Sequence, residues 1–311
     1  MEFLVFDQCT ANKLAATLRY SKTKNIMSKI IFITGTSTGF GKLTTITLAK
    51  AGYTVIAGMR GIKGKNAEVA AELSALDNVD VVEIDITSDV SVKEAFAHVL
   101  HKYGKVDVLV NNAAMSGFGL LEAYSIDQIK QMFEVNFYGV IRTYQAVLPS
   151  MRAHQNGLII NITSGASGHT LPFMVPYLAS KFGVESITEG LQDELADYHI
   201  ENVSIQPGVY PTEMNTGEKT GINSDKPEIT AEYGDAATAK FNAIGAGLFG
   251  KMAEFNMNPQ TIADGVLKLI EMKAGSRPLR FPLDAIAQGT DQEFIDARAA
   301  IKAKWLEKYT A

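Results

Sequence analysis

A glycine-rich turn near the start of the chain limits most strongly what this sequence can fold into. Residues 30–33 are the apolar run Ile-Ile-Phe-Ile, which is long enough for a buried parallel strand. The turn Thr-Gly-Thr-Ser-Thr-Gly-Phe-Gly follows at residues 34–41, and a helical pattern occupies residues 42–51. Glycines in such a turn let the backbone approach a pyrophosphate, and the N-terminus of the next helix offers it free N–H groups. Strand, glycine turn and helix therefore predict a dinucleotide site.

The spacing of the glycines is G-x-x-x-G-x-G, set by Gly35, Gly39 and Gly41, and differs from the general G-x-G-x-x-G. The alternative interpretation is a glycine-rich loop that binds nothing. That alternative leaves the strand before the turn and the helix after it unexplained, so the dinucleotide site is the preferred hypothesis.

A second pattern lies in the middle of the chain, where Tyr177 and Lys181 stand four residues apart. Positions i and i+4 share one face of a helix, so the phenol and the ammonium are neighbours. A nearby cation favours the phenolate and is expected to lower the tyrosine pKa from its usual value of about 10. Such a tyrosine can exchange a proton with a carbonyl or alcohol oxygen, and Ser164 on a neighbouring loop can hydrogen-bond the same oxygen. The pair is a frequent chance pattern and gains its weight from the glycine turn upstream.

Strand and helix patterns alternate along the sequence, which predicts an α/β fold with a Rossmann-like, doubly wound parallel sheet. Strands are expected at residues 30–33, 54–57, 79–83, 106–110, 158–161, 203–206 and 278–281. Helices are expected at residues 42–51, 65–76, 90–103, 126–152, 177–198, 259–272 and 291–309. Ser125 and Gln128 form a capping box before the fourth of these helices. A ligand site is expected at the carboxyl ends of the strands.

These motifs, in this order and spacing, resemble the classical short-chain dehydrogenase/reductase family over about residues 28–215. Residues 111–114 (Asn-Asn-Ala-Ala) follow an apolar strand, although the family has glycine at the fourth position. Asn136 stands where the family has its catalytic asparagine, and Ser164 lies thirteen residues before Tyr177, the family's usual distance. Residues 207–212 resemble the family's nicotinamide-side loop, and Asp85 matches the aspartate that reaches the adenine.

The resemblance implies a catalytic set of Asn136, Ser164, Tyr177 and Lys181. Tyr177 would be the general acid/base, and Ser164 would polarise the substrate oxygen. Lys181 would also hold the nicotinamide ribose, and Asn136 would support Lys181 through a water. The residues expected to bind the cofactor are Gly35, Ser37, Thr38, Gly39, Phe40, Gly41, Arg60, Asp85, Ile86, Asn112, Ala113, Tyr177, Lys181, Pro207, Gly208, Val209 and Thr212.

Other polar residues of the region receive weaker or no roles. Ser167 is an alternative to Ser164, although it lies only ten residues before Tyr177. His154 and His169 are interpreted as structural or exposed residues. Glu122, Glu185 and Glu189 are interpreted as charged helix or loop residues without a function.

The end of the second strand predicts NADP(H) as the cofactor in preference to NAD(H). An NAD-selecting carboxylate is expected there, but no Asp or Glu occurs between residues 54 and 65. Arg60 occupies the place, with Lys63 and Lys65 just beyond it. A guanidinium binds a 2′-phosphate through paired, charge-assisted hydrogen bonds, and Ser37 and Thr38 could donate to the same phosphate. Arg60 as a solvated loop charge, with dual specificity, is the alternative.

We expect residues 1–27 to be a poorly ordered N-terminal extension and residues 28–311 to form a single domain. Residues 212–257 interrupt the alternation and are rich in glycine and small residues. Their position and the resemblance predict a mobile, helical substrate lid. Residues 173–175 (Phe-Met-Val) indicate an apolar pocket. Residues 277–283 resemble members related to 17β-hydroxysteroid and retinol dehydrogenases, a hint toward a small apolar carbonyl or alcohol substrate.

Composition excludes several other classes of protein. A net charge of −5 gives no electrostatic footprint for nucleic acid. The single cysteine, Cys9, excludes an internal disulfide and agrees with a reducing, cytoplasmic location. No apolar run reaches the roughly 20 residues needed to span a bilayer, and no cluster of Cys and His indicates a metal.

The resemblance implies a homodimer or homotetramer built on the helices at 126–152 and 177–198. These helices carry apolar residues beyond one stripe, namely Phe133, Phe137, Tyr144, Leu191 and Leu195. Burial within one subunit is the alternative explanation for them.

Two kinds of function compete. The first is an NADP(H)-dependent oxidoreductase that transfers hydride between the nicotinamide and a carbonyl or a primary or secondary alcohol. The second is a catalytically silent NADP(H)-sensing regulator, since a fold alone does not fix function. The complete set of Asn136, Ser164, Tyr177 and Lys181 favours the enzyme, and the glycine spacing disfavours an epimerase or dehydratase.

Overall fold

The computed structural model describes residues 28–216 and 221–310. The predicted N-terminal extension at residues 1–27, including Cys9, lies outside the described residues, as do residues 217–220 and Ala311.

Seven parallel strands form one sheet in the described part of the chain, as predicted. In sequence they are β1 (Ile30–Thr34), β2 (Thr54–Met59), β3 (Val79–Glu83), β4 (Val108–Asn111), β5 (Gly157–Ile162), β6 (Ile200–Pro207) and β7 (Arg280–Leu283). Their order across the sheet is β3-β2-β1-β4-β5-β6-β7, and every pairing is parallel. The chain thus winds outward from β1 to β3 and then returns to β4. A crevice for ligands is expected at this reversal, between the carboxyl ends of β1 and β4.

Helices cover both faces of the sheet. They are α1 (Gly39–Lys50), α2 (Ala67–Ser74), α3 (Asp89–Tyr103), α4 (Ile126–Phe133), α5 (Gly139–His154), α6 (Val175–Ala196), α7 (Glu213–Thr216), α8 (Pro227–Glu232), α9 (Gly234–Glu254), α10 (Gln260–Glu271) and α11 (Thr290–Thr310). Short 3₁₀ turns occur at Leu121–Ala123 and Ala285–Ala287. None of the helices in the two described segments is both long and apolar enough to cross a membrane.

The core lies in two layers because side chains alternate along each strand. On one face, Phe32 of β1 stacks on Phe96 of α3 with ring centroids 4.5 Å apart, in a cluster that includes α5 and α6. On the other face, Ile31 and Ile33 join a cluster with α1 and α10. The sheet is therefore rigidly held from both sides, and the strand ends at its carboxyl edge are fixed in position.

The predicted helix at residues 126–152 differs in one respect from the structure. The capping box of Ser125 and Gln128 is confirmed at the start of α4. Between α4 and α5, however, Glu134–Tyr138 form a π-helical turn. Such single turns are rare and concentrate at functional sites, and this one carries Asn136.

Residues 212–257, predicted to form a helical lid, do contain helices, although the sequence pattern did not give their bounds. The longest is α9, with 21 residues. It is rich in alanine and glycine and has no clear apolar period, so the pattern did not reveal it. Two apolar residues expected at a subunit interface, Tyr144 and Leu195, are instead buried in the core of one subunit.

Candidate active site

A cavity of about 1060 Å³ runs along the carboxyl edge of the sheet. At one end it is lined by Arg60 and Asp85, in the middle by the glycine turn, and at the other end by Leu248 of α9 and Phe294 of α11. All predicted site residues lie in the described segments, and all of them except Gly41 and Asn136 line this cavity. The edge expected from the topology is therefore the edge at which the predicted residues meet.

The glycine turn leaves room that any other residue would fill. Gly35 has a φ of +71°, and a Cβ there would lie 2.7 Å from the Cα of Ala113. A Cβ on Gly41 would lie 2.2 Å from the carbonyl oxygen of Gly35. Gly41, predicted to bind the cofactor, therefore serves the packing of the turn. Gly39 has a φ of +51° and lines the cavity directly.

The first turn of α1 has features that favour an anion. Its N-cap residue, Thr38, has an extended backbone, and its side chain does not cap the helix. No acidic residue occurs in this first turn. The N–H groups of a helix's first turn and the positive end of the helix dipole favour a phosphate at such a place. The turn thus fits the pyrophosphate of a dinucleotide.

Asn112 locks the glycine turn to the end of β4. Its Nδ2 donates to the carbonyl oxygens of Thr34 at 2.9 Å and Gly35 at 3.0 Å. The backbone N–H groups of Asn112 and Ala113 both donate to Thr34 Oγ1 at 3.1 Å. These four bonds fix the carboxyl ends of β1 and β4 relative to each other, so the cradle is formed by the protein itself.

Arg60 follows β2 directly and extends along the cavity wall. Its side chain is 51% exposed and forms an ion pair with Asp85, at 3.6 Å between Nη1 and Oδ2. Burial alone would raise the pKa of Asp85, but hydrogen bonds from Thr87 and the Arg60 guanidinium lower it overall. The carboxyl group of Asp85 is therefore charged at neutral pH. Lys65 also lines the cavity, whereas the exposed Lys63 does not.

Ser164 and Tyr177 meet on the cavity wall. Tyr177 is only 8% exposed, and burial raises its pKa to about 12, which a hydrogen bond with Ser164 partly offsets. The Nζ of Lys181 lies 6.0 Å from the Tyr177 ring centroid and donates to the carbonyl oxygen of Ile162 at 2.8 Å. The predicted lowering of the Tyr177 pKa by Lys181 is thus wrong for this geometry, because desolvation of the phenolate outweighs the distant ammonium.

Lys181 is itself buried in the cavity wall. Burial lowers its pKa to about 8, and the carboxylate of Glu185 partly offsets the shift. The ammonium form still predominates at pH 7. An ionised lysine and a neutral tyrosine therefore stand side by side at neutral pH.

Asn136 is buried and does not turn to solvent. Its Oδ1 accepts from the backbone N–H of Met115 at 2.7 Å, and its Nδ2 donates to the Met115 carbonyl oxygen at 2.8 Å. The same Nδ2 donates to Ser180 Oγ at 2.9 Å. Asn136 therefore joins the loop after β4 to α6 at the residue next to Lys181.

Two polar residues near the site, Ser167 and Glu185, are buried. Ser167 is fully buried and donates to the carbonyl oxygen of Ser164 at 2.5 Å, so it has no surface in the cavity. Glu185, taken as a charged helix residue without a function, is only 1% exposed. The burial of Glu185 could have been inferred from its position four residues after Lys181 and eight after Tyr177, because this spacing continues the same helix face.

The far end of the cavity is predominantly apolar. Its side chains come from the loop after β4, the loop before α6, the lid helices and α11; they include Met115, Leu171, Met174, Met214, Leu248, Ile286 and Phe294. Ser116, His169, Asp284 and Asp291 add polar groups. His154, by contrast, is exposed and contacts the carbonyl oxygen of Ser150.

Three phenylalanine rings join α9 to the loops around this end. The Phe241 ring lies 4.5 Å from that of Phe118 and 5.4 Å from that of Phe173. Phe173 has a φ of +63°, rare for a bulky residue, and its carbonyl oxygen accepts from Gly119 N at 2.7 Å.

Glu122, taken as a residue without a function, accepts a hydrogen bond from the Tyr233 hydroxyl just before α9 at 2.8 Å.

A metal centre is not indicated in the described part of the chain, where no three His, Cys, Asp or Glu side chains are grouped for one.

Comparison with known proteins assigns the chain to a family. The short chain dehydrogenase family model matches residues 29–223, more than half of the chain. A 3-ketodihydrosphingosine reductase from Bacteroides thetaiotaomicron is 36% identical over 201 residues, which cover 63% of this chain and 71% of the relative. Retinol dehydrogenase 8 from Bos taurus is 30% identical over 255 residues, which cover 78% of each chain.

Solved structures agree with this assignment. A short-chain dehydrogenase from Streptomyces avermitilis has a TM-score of 0.71 at 27% identity, covering 91% of this chain and 98% of that one. An alcohol dehydrogenase from Thermococcus sibiricus, complexed with 5-hydroxy-NADP, has a TM-score of 0.62 at 25% identity, covering 82% and 96%. The resemblance drawn from the motifs is thereby confirmed: the chain belongs to the short-chain dehydrogenase family and is an oxidoreductase of that family.

Proposed function

We propose that this protein is an NADP(H)-dependent oxidoreductase that interconverts a carbonyl compound and the corresponding primary or secondary alcohol. One observation carries the proposal: Ser164 and Tyr177 lie on the wall of the same cavity that contains the glycine turn. A proton donor and a dinucleotide cradle thus share one space. A nicotinamide dinucleotide bound there would supply or accept the hydride.

Tyr177 acts as the general acid in this proposal. With its pKa raised to about 12, the phenol is protonated at neutral pH and can donate to the oxygen of a carbonyl substrate as negative charge develops. Ser164 donates a second hydrogen bond to the same oxygen. The ammonium of Lys181 stabilises the phenolate that remains after proton transfer.

Asn136 positions other residues of the site through its hydrogen bonds. It holds the backbone of Met115 on the cavity wall and the hydroxyl of Ser180 beside Lys181. These contacts keep the loop after β4 and helix α6 at a fixed separation. Because Asn136 does not line the cavity, its role is to position Lys181 and the substrate wall, with no contact to the substrate itself.

The charge around Arg60 supports NADP(H). Arg60 and Lys65 both line the end of the cavity that follows β2, where an NAD-selecting carboxylate would otherwise stand. Asp85 is present at the same end, but its carboxylate is engaged by Thr87 and Arg60. A 2′-phosphate would therefore meet two cations, Arg60 and Lys65, and one carboxylate that accepts hydrogen bonds from Thr87. The similarity to an alcohol dehydrogenase complexed with 5-hydroxy-NADP supports the same choice.

A small apolar carbonyl or alcohol is the proposed substrate class. The far end of the cavity is lined by methionine, leucine and phenylalanine side chains contributed by the lid and by α11. Residues 212–257 would form the lid over that substrate. The similarity to a 3-ketodihydrosphingosine reductase and to retinol dehydrogenase 8 supports a carbonyl or alcohol group on an apolar body.

A homodimer or homotetramer is proposed as the working assembly. The segments expected to form the interface expose two large apolar side chains, Tyr138 and Phe182. Exposed apolar groups along neighbouring helices are typical of a two-fold contact between identical subunits.

The direct test is a panel of aldehydes, ketones and secondary alcohols, assayed with NADPH or NADP⁺ by following NADPH absorbance. The proposal expects turnover of at least one apolar ketone or aldehyde. Tight NADPH binding without turnover of any panel member would instead favour the silent regulator.

A further inference from the structure

The most connected buried side chain beside the cavity is the carboxylate of Glu185, on α6. Its Oε1 accepts hydrogen bonds from Thr163 Oγ1 at 2.7 Å and Gln206 Nε2 at 2.8 Å, with Ser167 Oγ at 3.2 Å. Its Oε2 accepts from Arg280 Nε at 2.9 Å. Two oxygen atoms thus join helix α6 to the loop after β5, to the end of β6 and to β7.

The partners of Glu185 are the neighbours in sequence of proposed site residues. Thr163 precedes Ser164, and Gln206 precedes Pro207 of the nicotinamide-side loop. Ser167 donates to the carbonyl oxygen of Ser164, and its Oγ lies 3.2 Å from the Glu185 carboxylate. A displacement of this carboxylate would therefore move the Ser164 loop and the end of β6 together.

The Glu185 carboxylate lies between two cationic side chains, Arg280 and Lys181. Arg280 lies on one side of the carboxylate, but it also forms an ion pair with Glu189 one turn along α6. Glu189 in turn is paired with Arg298 and Lys302 of α11. On the other side, Lys181 lies one turn before Glu185 on the same helix face. Glu185 is thus the acidic group between the proposed catalytic lysine and the ion pairs that dock α11.

We propose that Glu185 is a positioning residue of the active site: it clamps the Ser164 loop and the end of β6 to α6 and provides the negative charge beside Lys181. This role rests on the proposed function of Ser164, Tyr177 and Lys181. Glu185 touches neither the cavity nor a substrate, and it acts only through these neighbours. The competing explanation is a buried ion pair that stabilises the fold and has no effect on the site.

The charge component of the proposal has a defined sign. Among the described ionisable groups around Lys181, Tyr177 lies one turn before it and Glu185 one turn after it, with Arg280 beyond Glu185. Burial lowers the pKa of Lys181 to about 8, and Glu185 opposes the shift. Loss of the carboxylate charge therefore lowers that pKa further, and Lys181 gives up its proton at a lower pH.

The decisive variant is Glu185→Gln, which keeps the shape of the side chain and removes its charge. The pH dependence of kcat/KM for NADPH reports the free enzyme, so its alkaline limb follows Lys181. We expect this limb to move to lower pH by about one unit and kcat to fall roughly tenfold. Glu185→Asp, which restores the charge but has a shorter reach, is expected to return the limb toward its original position while kcat stays low.

A matched control lies near the start of β6, at the opposite end of that strand from Gln206. Glu201 near the start of β6 forms an ion pair with Arg277, whose side chain is only 5% exposed. Glu201→Gln is expected to lower Tm without moving the alkaline limb or kcat. If Glu185→Gln behaves like Glu201→Gln, Glu185 is a stabiliser of the fold alone and the proposal is overturned.

A milder variant covers the case in which Glu185→Gln does not fold. Thr163→Val removes one neutral donor to Glu185 and leaves the charge in place. It is expected to lower kcat without moving the alkaline limb, because it loosens only the Ser164 loop. An unchanged kcat in Thr163→Val would overturn the clamping role.

The dissociation constant of NADPH, measured by fluorescence across the same pH range, separates this proposal from the proposed function. A wild-type protein that reduces no carbonyl would refute the function. The pH at which NADPH binding weakens would still move in Glu185→Gln if Glu185 provides the charge beside Lys181. An unmoved binding profile would refute the Glu185 proposal by itself.

Discussion

Replacement of Arg60 by alanine should lower kcat/KM for NADPH and leave that for NADH nearly unchanged. The guanidinium lines the end of the cavity after β2, and its only described ionic partner is Asp85 at 3.6 Å. That pair is partly exposed, and exposed pairs contribute about 0–1 kcal/mol. Little is therefore lost when the guanidinium turns from Asp85 toward a 2′-phosphate.

The size of the effect follows from the exposure of Arg60. A hydrogen bond to a charged group contributes about 1.5–3 kcal/mol, and screening favours the lower part of this range for a side chain that is 51% exposed. A loss of about 1.5–2 kcal/mol corresponds to a roughly 10- to 30-fold fall in kcat/KM for NADPH. Lys65 remains in the variant, so some preference for NADPH should persist. Arg60→Asp should move the preference further toward NADH.

The assay compares kcat/KM for NADPH and NADH at a saturating concentration of one carbonyl substrate. Lys63→Ala is the matched control, because this exposed cation lies three residues further on and does not line the cavity. It should change neither value. Equal losses for both cofactors in Arg60→Ala, or no loss at all, would refute the assignment of Arg60 to the 2′-phosphate.

Further predictions concern protonation, the lid and assembly. Because burial lowers the pKa of Lys181 to about 8, kcat/KM for NADPH should fall as the pH rises through that value, and a profile that stays flat up to about pH 10 would contradict this. Phe241→Ala removes two ring contacts of α9, each contributing about 0.5–1.5 kcal/mol, and should raise KM for an apolar ketone roughly tenfold. Phe249→Ala, at an exposed position of the same helix, is the control that should leave KM unchanged. Light scattering at micromolar concentration should give at least twice the mass of one chain, and a monomer would refute the proposed assembly.

Much of the fold could be predicted from local patterns. The strands are short apolar runs separated by helical patterns, and all seven predicted strands overlap those of the described structure. The glycine turn and Ser164, Tyr177 and Lys181 were also predictable, because their chemistry depends on residue type and spacing. These features are local in sequence, so a single sequence carries them.

Other features depend on contacts between distant parts of the chain. The buried Glu185 is paired with Arg280, which lies 95 positions further along the chain, and helix periodicity alone does not reveal that partner. The raised pKa of Tyr177 arises from desolvation by the whole cavity wall, whereas the sequence pattern displayed only the neighbouring lysine. The π turn at Asn136 gives no signal in the apolar pattern, which continues through it.

The proton-donating role of Tyr177 is the central claim, and Tyr177→Phe tests it most directly. The substitution removes the hydroxyl and keeps the ring, so the variant should bind NADPH with a nearly unchanged dissociation constant. Tyr144→Phe is the matched control, because that buried hydroxyl bonds to Asn202 at 2.6 Å in the core and does not line the cavity. With the best carbonyl substrate of the panel, kcat of Tyr177→Phe should fall roughly 10²–10⁴-fold, while Tyr144→Phe should lose stability and retain kcat. A Tyr177→Phe protein that kept more than about a tenth of the wild-type kcat, a loss far smaller than that of a general acid, would contradict the account.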